Sequence, residues 1–127
     1  MNNIYIVYIH KMDVINVSKK ELNKKGFENL ESWLLDKQNI YIGRNMSFYV
    51  KGAIGSKWAN PFSVKKYRRN KCLELYESYI NNNTDLYNSL DELKGKHLGC
   101  WCYPEKCHGD ILIKLYKNKV NINNNYK

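Results

Sequence analysis

The feature that most constrains the fold is an alternation of short apolar runs with segments of helical periodicity. Three runs are predicted to be strands: Asp13–Ser18, Asn39–Ile42 and His97–Cys102. Strands that alternate with helices are typical of a mostly parallel sheet covered by those helices. The 127 residues are enough for one domain. We therefore predict an α/β fold, a small Rossmann-like three-layer domain with a short, mostly parallel sheet.

The segments between and after these runs carry apolar residues at helical spacing. Ser18 and Gly26 bracket the first of them as capping residues. The predicted helices are 19–24, a short helix through Leu30 and Leu34, Asn70–Ile80, a helix capped by Thr84 or Asp85 that runs to Leu93, and Gly109–Lys117. The predicted organisation is an N-terminal extension or edge strand at 1–12, including Ile4–Ile9, a single α/β domain at 13–117 and a disordered tail at 118–127.

The stretch from Arg44 to Phe62 follows neither period and is long for a loop in so small a domain. Its apolar and aromatic residues argue against disorder, so an ordered functional loop is predicted. Gly52 and Gly55 expose backbone amides that suit an anion. The predicted ligand contacts are Arg44 and Lys57 for phosphate, Trp58 and Asn60 for a base or ribose, and Ser56 next to them.

A structural interpretation of the same loop competes with this one. Asn60 is then a turn residue before Pro61, and Lys57 is only solvated. Trp58 and Phe62 are core aromatics in this interpretation, which we prefer for Phe62.

The most reactive side chains lie between Cys100 and Asp110, where a strand, a tight loop and a helix are predicted. Cys102 is predicted as a ligand contact at the carboxyl end of its strand, where sites in α/β proteins are built. A helix N-terminus lowers a thiol pKa and disfavours imidazolium, and Gly109 leaves room there for a phosphate. The predicted catalytic residues are Cys107, His108 and Asp110.

A metal site is an alternative use of the same segment. Cys100, Cys102, Cys107 and His108 are ligand types that zinc accepts. Their spacing departs from the usual Cys-x2-4-Cys pattern, and the side chains of the adjacent Cys107 and His108 are expected to point in different directions. We therefore predict no cofactor and no metal, with zinc as the alternative. A purely structural role for the cysteines, as packed thiols, also stays open.

The chain is strongly basic, with 21 Lys and Arg against 12 acidic residues and a formal charge of +9. Such a charge suits a small anionic, nucleotide-like ligand or nucleic acid. The densest basic cluster, Lys65–Lys71, is the predicted nucleic-acid contact. A compositional interpretation competes, because abundant Asn, Lys, Ile and Tyr also indicate an A/T-rich genome, for example a viral one.

No apolar run reaches the ~20 residues of a membrane span, and no signal peptide is recognisable. We predict no membrane association. The expected location is therefore cytoplasmic, and a reducing compartment would keep the four cysteines as thiols.

Several motifs in order resemble the domain of unknown function 4326 family. They are Tyr41-Ile-Gly-Arg44, Ser56-Lys-Trp-Ala-Asn-Pro-Phe62, Gly95-Lys96, Leu98-Gly-Cys-Trp-Cys102, Pro104 and Cys107-His-Gly-Asp110, within a match from about Val14 to Leu115. The resemblance implies a small stand-alone α/β domain and no particular reaction. The insert between Arg44 and Ser56 is longer than in compact members.

The function predicted from the sequence is binding of a nucleotide or nucleoside derivative between the Arg44–Asn60 loop and the Cys102–Asp110 turn. If the chain is an enzyme, hydrolysis or transfer at a glycosidic or phosphate bond is expected. The alternatives are a module that sequesters a nucleotide without turnover, a basic nucleic-acid-binding protein and a Cys/His metal-binding domain.

Overall fold

The computed structural model describes residues 11–125, with side chains to Asn123. The predicted strand Ile4–Ile9 lies outside the described residues. No helix in the described part combines the length and apolar character needed to cross a bilayer. The elements in chain order are β1 (Asp13–Asn16), α1 (Lys19–Lys24), α2 (Leu30–Trp33), β2 (Asn39–Tyr41), α3 (Arg69–Asn81), α4 (Thr84–Ser89), a 3₁₀ turn (Leu90–Leu93), β3 (His97–Cys100) and α5 (His108–Asn125).

The three strands form one parallel sheet in the order β1-β3-β2, so the last strand in sequence is the central one. Asp13 and Asn39 both stand opposite His97 in the register. The predicted α/β class and parallel sheet are confirmed. Each strand is shorter than predicted, but ladder-like bonds continue beyond the ends: Val17 N donates to Cys100 O at 2.9 Å and Ile42 N to Gly99 O at 2.9 Å.

Alternate strand positions supply two separate apolar clusters, as expected for a sheet buried on both sides. Val14, Ile42 and Leu98 belong to the larger cluster, which α3, α4, the 3₁₀ turn and α5 complete. Val17 and Tyr41 belong to the smaller cluster together with residues of α1 and α2.

Glycine is required at position 99 of the central strand by close packing. A Cβ atom there would lie 2.7 Å from Val17 Cγ1 and 2.8 Å from the Trp33 ring. Any side chain there would require Val17 or Trp33 to shift.

The helix caps follow the sequence rules with one correction. Ser18 caps α1 by accepting from Glu21 N at 3.3 Å, as predicted. The prediction of Thr84 or Asp85 as the cap of α4 is wrong, because Asn83 accepts from Leu86 N at 3.0 Å. Asn83 has the extended backbone that a cap needs, whereas Thr84 is already helical.

Helix α5 runs to Asn125, so the predicted end at Lys117 and the disordered tail are wrong for residues 118–125. Lys119 anchors this extension: its Nζ lies 3.2 Å from Tyr87 O and 3.3 Å from Asp91 Oδ2. Leu112 and Leu115 hold the preceding turns in the larger apolar cluster. Tertiary contacts thus stabilise this extension of α5, whose sequence has only a modest helix propensity of its own.

Candidate ligand-binding cleft

A cleft of about 710 Å³ opens at the carboxyl end of β2 and β3. Ligands of α/β proteins bind at this edge of the sheet, and the volume is within the range of small-molecule sites. The cleft brings together four predicted site residues, Arg44, Asn60, Cys102 and His108. We call it the basic cleft; its other lining residues are Gly43, Met46, Pro61, Phe62, Ser63, Val64, Lys65, Cys100 and Trp101.

The imidazole of His108 is held in one orientation at the wall of the cleft. Its Nε2 lies 2.7 Å from Ile42 O, and a carbonyl oxygen can only accept, so Nε2 carries the proton. The Tyr76 ring packs edge-on against the imidazole, with the two ring centroids 5.0 Å apart. Nδ1 therefore carries the lone pair, and no described residue donates to it. Burial lowers the pKa of His108, which keeps the ring neutral at neutral pH.

Trp101 lines the cleft and is a site residue that the sequence analysis missed. Its Nε1 donates to Tyr41 Oη at 2.7 Å, and Tyr41 Oη donates to Arg44 O at 2.6 Å. This chain of hydrogen bonds ties the end of β3 to the backbone of Arg44. Its position just after the central strand is the sequence signal that could have identified Trp101 as a site residue.

Asn60 also lines the cleft. Its Oδ1 accepts from Phe62 N at 2.9 Å, so the carboxamide is oriented by its own turn. The amide nitrogen keeps its two donors for a ligand, since no described residue accepts from it. Phe62 is half-buried and lines the cleft, although the sequence analysis preferred it as a core residue.

Three residues predicted as ligand contacts lie outside the cleft. Trp58 is 1% exposed in the larger apolar cluster, where Tyr76 Oη donates to its carbonyl at 2.7 Å. Lys57 Nζ pairs with Glu92 at 2.8 Å. Ser56 Oγ accepts from Trp58 N at 3.2 Å and so shapes the turn. The structural interpretation describes this part of the loop better.

Cys107 and Asp110 form a reciprocal cap at the start of α5. Cys107 Sγ accepts from Gly109 N at 3.3 Å, and Asp110 Oδ2 accepts from Cys107 N at 3.0 Å. These two amides are thereby satisfied within the chain. A Cβ on Gly109 would lie 3.0 Å from both Ile42 Cδ1 and Val14 Cγ2. The expectation that Gly109 admits a phosphate is therefore wrong, because this glycine serves close packing on the sheet.

Three thiols cluster at the cleft, and two of them, Cys100 and Cys102, belong to residues that line it. Cys100 Sγ lies 3.1 Å from Cys107 Sγ, and its thiol holds the pKa of Cys107 below the usual range. The Cys102 thiol lowers the pKa of Cys100, but Cys107 and burial outweigh it and raise that pKa to about 11. Cys100 and burial raise the pKa of Cys102, against the opposing effect of Arg69. The lowered pKa predicted for Cys107 is present, with Cys100 as its main cause.

Among residues 11–125, no group of three or more His, Cys, Asp or Glu side chains forms a candidate metal site. His108 presents its protonated Nε2 to a carbonyl, and Cys107 Sγ accepts from Gly109 N. The four residues predicted as alternative zinc ligands are thus close together, but their side chains do not point to a common centre.

A second, smaller cleft of about 410 Å³ lies beside β1. Asp110 faces it, as do Asp13, Glu21 and Lys25. We call it the acidic cleft; its remaining described lining residues are Met12, Val14, Ile15, Asn16, Tyr103 and Ile113. Asp110 is consequently separated from the side of His108 that faces the basic cleft.

Comparison with protein families agrees with the motif resemblance. The profile described as "Domain of unknown function (DUF4326)" matches residues 22–118. The chain belongs to the DUF4326 family. The matched segment contains every residue of the basic cleft and most of the three-stranded sheet, whereas β1 precedes it.

Two viral proteins are similar to this chain. The chain is 40% identical over 88 residues to Uncharacterized protein R718 of Acanthamoeba polyphaga mimivirus, covering 62% of this chain and 67% of that protein. It is 31% identical over 65 residues to the Uncharacterized 12.4 kDa protein in nrdA-td intergenic region of Enterobacteria phage T4, covering 48% and 60%. No solved structure gives a significant match.

Proposed function

We propose that this DUF4326 chain binds a nucleotide or nucleoside derivative in the basic cleft. The single observation that supports the proposal is the convergence of Arg44 and Asn60 with Cys102 and His108 around one cleft. Arg44 and Asn60 come from the Arg44–Phe62 loop, and Cys102 and His108 come from a segment far from it in the sequence. Their meeting point is the edge of a parallel sheet at which Rossmann-like domains bind nucleotides.

The chemistry of the walls suits the separate parts of a nucleotide. Arg44 and Lys65 supply positive charge for phosphate, and no described residue of the lining is acidic. Trp101 and Phe62 offer aromatic surface for a base. The free amide donors of Asn60 and the lone pair on His108 Nδ1 can meet the polar edge of a ring or ribose.

Intrinsic fluorescence tests the proposal, because only one of the tryptophans lines the cleft. Trp33 and Trp58 are buried in the two apolar clusters, whereas Trp101 faces the cleft. Titration with a panel of nucleoside mono-, di- and triphosphates is expected to quench fluorescence saturably. Trp101→Phe should lose the quenching, and Trp33→Phe, the matched control, should keep it. Absence of saturable quenching by any nucleotide, or quenching that survives in Trp101→Phe, contradicts the proposal.

Two versions of the proposal differ in whether the bound ligand is converted. In a hydrolase or transferase acting on a glycosidic or phosphate bond, neutral His108 is the proton acceptor. In a sequestering module the same contacts hold the ligand unchanged. Incubation followed by chromatography of the ligand separates them: new products that disappear with His108→Gln support the enzyme, and quantitative recovery supports the module.

Nucleic acid is a second candidate ligand, which the position of Lys65 favours. Lys65 lines the basic cleft, and the exposed Lys66 and Arg68 continue the positive charge away from it. None of these three is in an ion pair with a described residue. Binding of a single-stranded oligonucleotide should then weaken steeply with salt and fall in a Lys66→Ala/Arg68→Ala variant. Salt-insensitive or absent binding contradicts this candidate.

A further inference from the structure

Cys100 and Cys107 form a contact between two thiols that the proposed function leaves unused. Their sulfurs are 3.1 Å apart, and a disulfide needs about 2.05 Å, so a shift of roughly 1 Å would join them. Cys100 ends the central strand and Cys107 caps α5, which places the pair between two packed elements. We propose that Cys100 and Cys107 are a redox-active dithiol that a small peroxide converts to a disulfide. This inference is independent of nucleotide binding.

The route for the oxidant is the basic cleft. Cys100 is among its lining residues and is in contact with Cys107, and both side chains are buried. Only an oxidant as small as hydrogen peroxide is therefore expected to reach the pair, and a bulky disulfide is not.

The chemistry balances with peroxide as the oxidant. One of the two sulfurs attacks the peroxide, the O–O bond breaks, one water leaves and a sulfenic acid forms. The other sulfur then attacks the sulfenic sulfur; the S–S bond forms and the hydroxyl leaves with a proton as a second water. Two thiols and one hydrogen peroxide thus yield one disulfide and two waters. The lowered pKa of Cys107 makes it the more readily ionised sulfur of the pair.

Cys102 is the rival partner for Cys100, and Cys72 is an internal control. Cys102 is half-buried at the cleft wall, and its pKa is raised, which disfavours the thiolate needed for attack. Cys72 is buried on α3, with Sγ 3.5 Å from Tyr67 O, and no described sulfur lies within hydrogen-bond distance of it. Selective oxidation should therefore spare both Cys72 and Cys102.

Peptide mapping tests the pairing, because trypsin separates the two sulfurs. Cleavage after Lys96, Lys106 and Lys114 releases peptide 97–106 with Cys100 and Cys102, and peptide 107–114 with Cys107. The reduced full-length chain is treated with hydrogen peroxide, quenched in acid, alkylated and digested without reductant. We expect two of the four thiols to be lost and the two peptides to be joined until a dithiol reductant is added.

A Cys102→Ser variant identifies which sulfur of peptide 97–106 takes part, and it should form the same link. A Cys107→Ser variant should not join the peptides. The same oxidation in concentrated urea is the control for selectivity and should also consume Cys72. The proposal is overturned if native protein keeps all thiols, if peptide 97–106 closes an internal disulfide, if Cys102→Ser abolishes the link, or if the native and urea patterns are the same.

Discussion

The first turn of α5 separates two clefts of opposite character. His108 faces the basic cleft with Arg44 and Lys65, whereas Asp110, two residues later, faces the acidic cleft with Asp13 and Glu21. Successive positions of a helix point about 100° apart, so residues two apart project to opposite sides. Side chains that are neighbours in a sequence motif therefore need not belong to one site.

The four residues of the motif Cys107-His-Gly-Asp110 therefore have different roles. His108 lines the basic cleft, while Cys107 and Asp110 satisfy amides at the helix start and Gly109 packs on the sheet. An anion is expected on the side of Arg44 and excluded from the side of Asp13 and Glu21.

The largest expected effect is on nucleotide affinity. Arg44→Ala and Lys65→Ala should each weaken binding in calorimetric titrations by about 10- to 100-fold, because each removes a charged hydrogen bond worth roughly 1.5–3 kcal/mol. Lys25→Ala removes the cation of the acidic cleft and is the matched control, with unchanged affinity. Equal losses in all three variants would erase the distinction between the clefts.

A smaller effect is expected from the pH dependence of stability. Burial lowers the pKa of His108 below the 6.5 of the unfolded chain, so the unfolded state takes up this proton more readily. The stability that comes from burying the neutral ring is fully present above pH 6.5. As the pH falls from 6.5 toward the pKa of His108 in the folded chain, this stability decreases by at most about 1.4 kcal/mol per pH unit. Urea unfolding across this range should show that slope, and His108→Gln should flatten it. An unchanged slope in His108→Gln contradicts the burial of the ring.

The Asp110 cap should contribute about 1 kcal/mol to the free energy of unfolding, a typical value for a helix N-terminal acceptor. Asp110→Ala is expected to lose that amount in urea denaturation without changing nucleotide affinity. Asp110→Asn keeps an acceptor for Cys107 N and should lose less. A large fall in affinity with unchanged stability would assign Asp110 to the ligand site instead.

The smallest effect concerns the part of the loop outside the cleft. Lys57→Ala removes an exposed ion pair with Glu92, which should reduce stability by no more than about 1 kcal/mol. Nucleotide affinity should stay as in the unaltered chain. If this variant binds nucleotide tenfold more weakly, the boundary of the basic cleft must include Lys57.

Local patterns were sufficient to predict the elements that build the site. The period of the apolar residues predicted all three strands, and Ser18 indicated the start of α1. Such features depend on residues close in the chain, whose periodicity and capping chemistry are local. The end of α5 was not predictable in this way, because Lys119 is anchored to Tyr87 and Asp91 from a different helical segment.

By itself the sequence determined the α/β class, the family and the two motifs that meet at the cleft. Only the tertiary structure decided which members of those motifs face it: Asn60 and His108 do, while Trp58 is in the core and Asp110 faces the other way. It also added Trp101, at the end of the central strand. The reason is that periodicity is a property of neighbouring residues, whereas the direction of a side chain in a loop or a first helical turn depends on the elements packed around it.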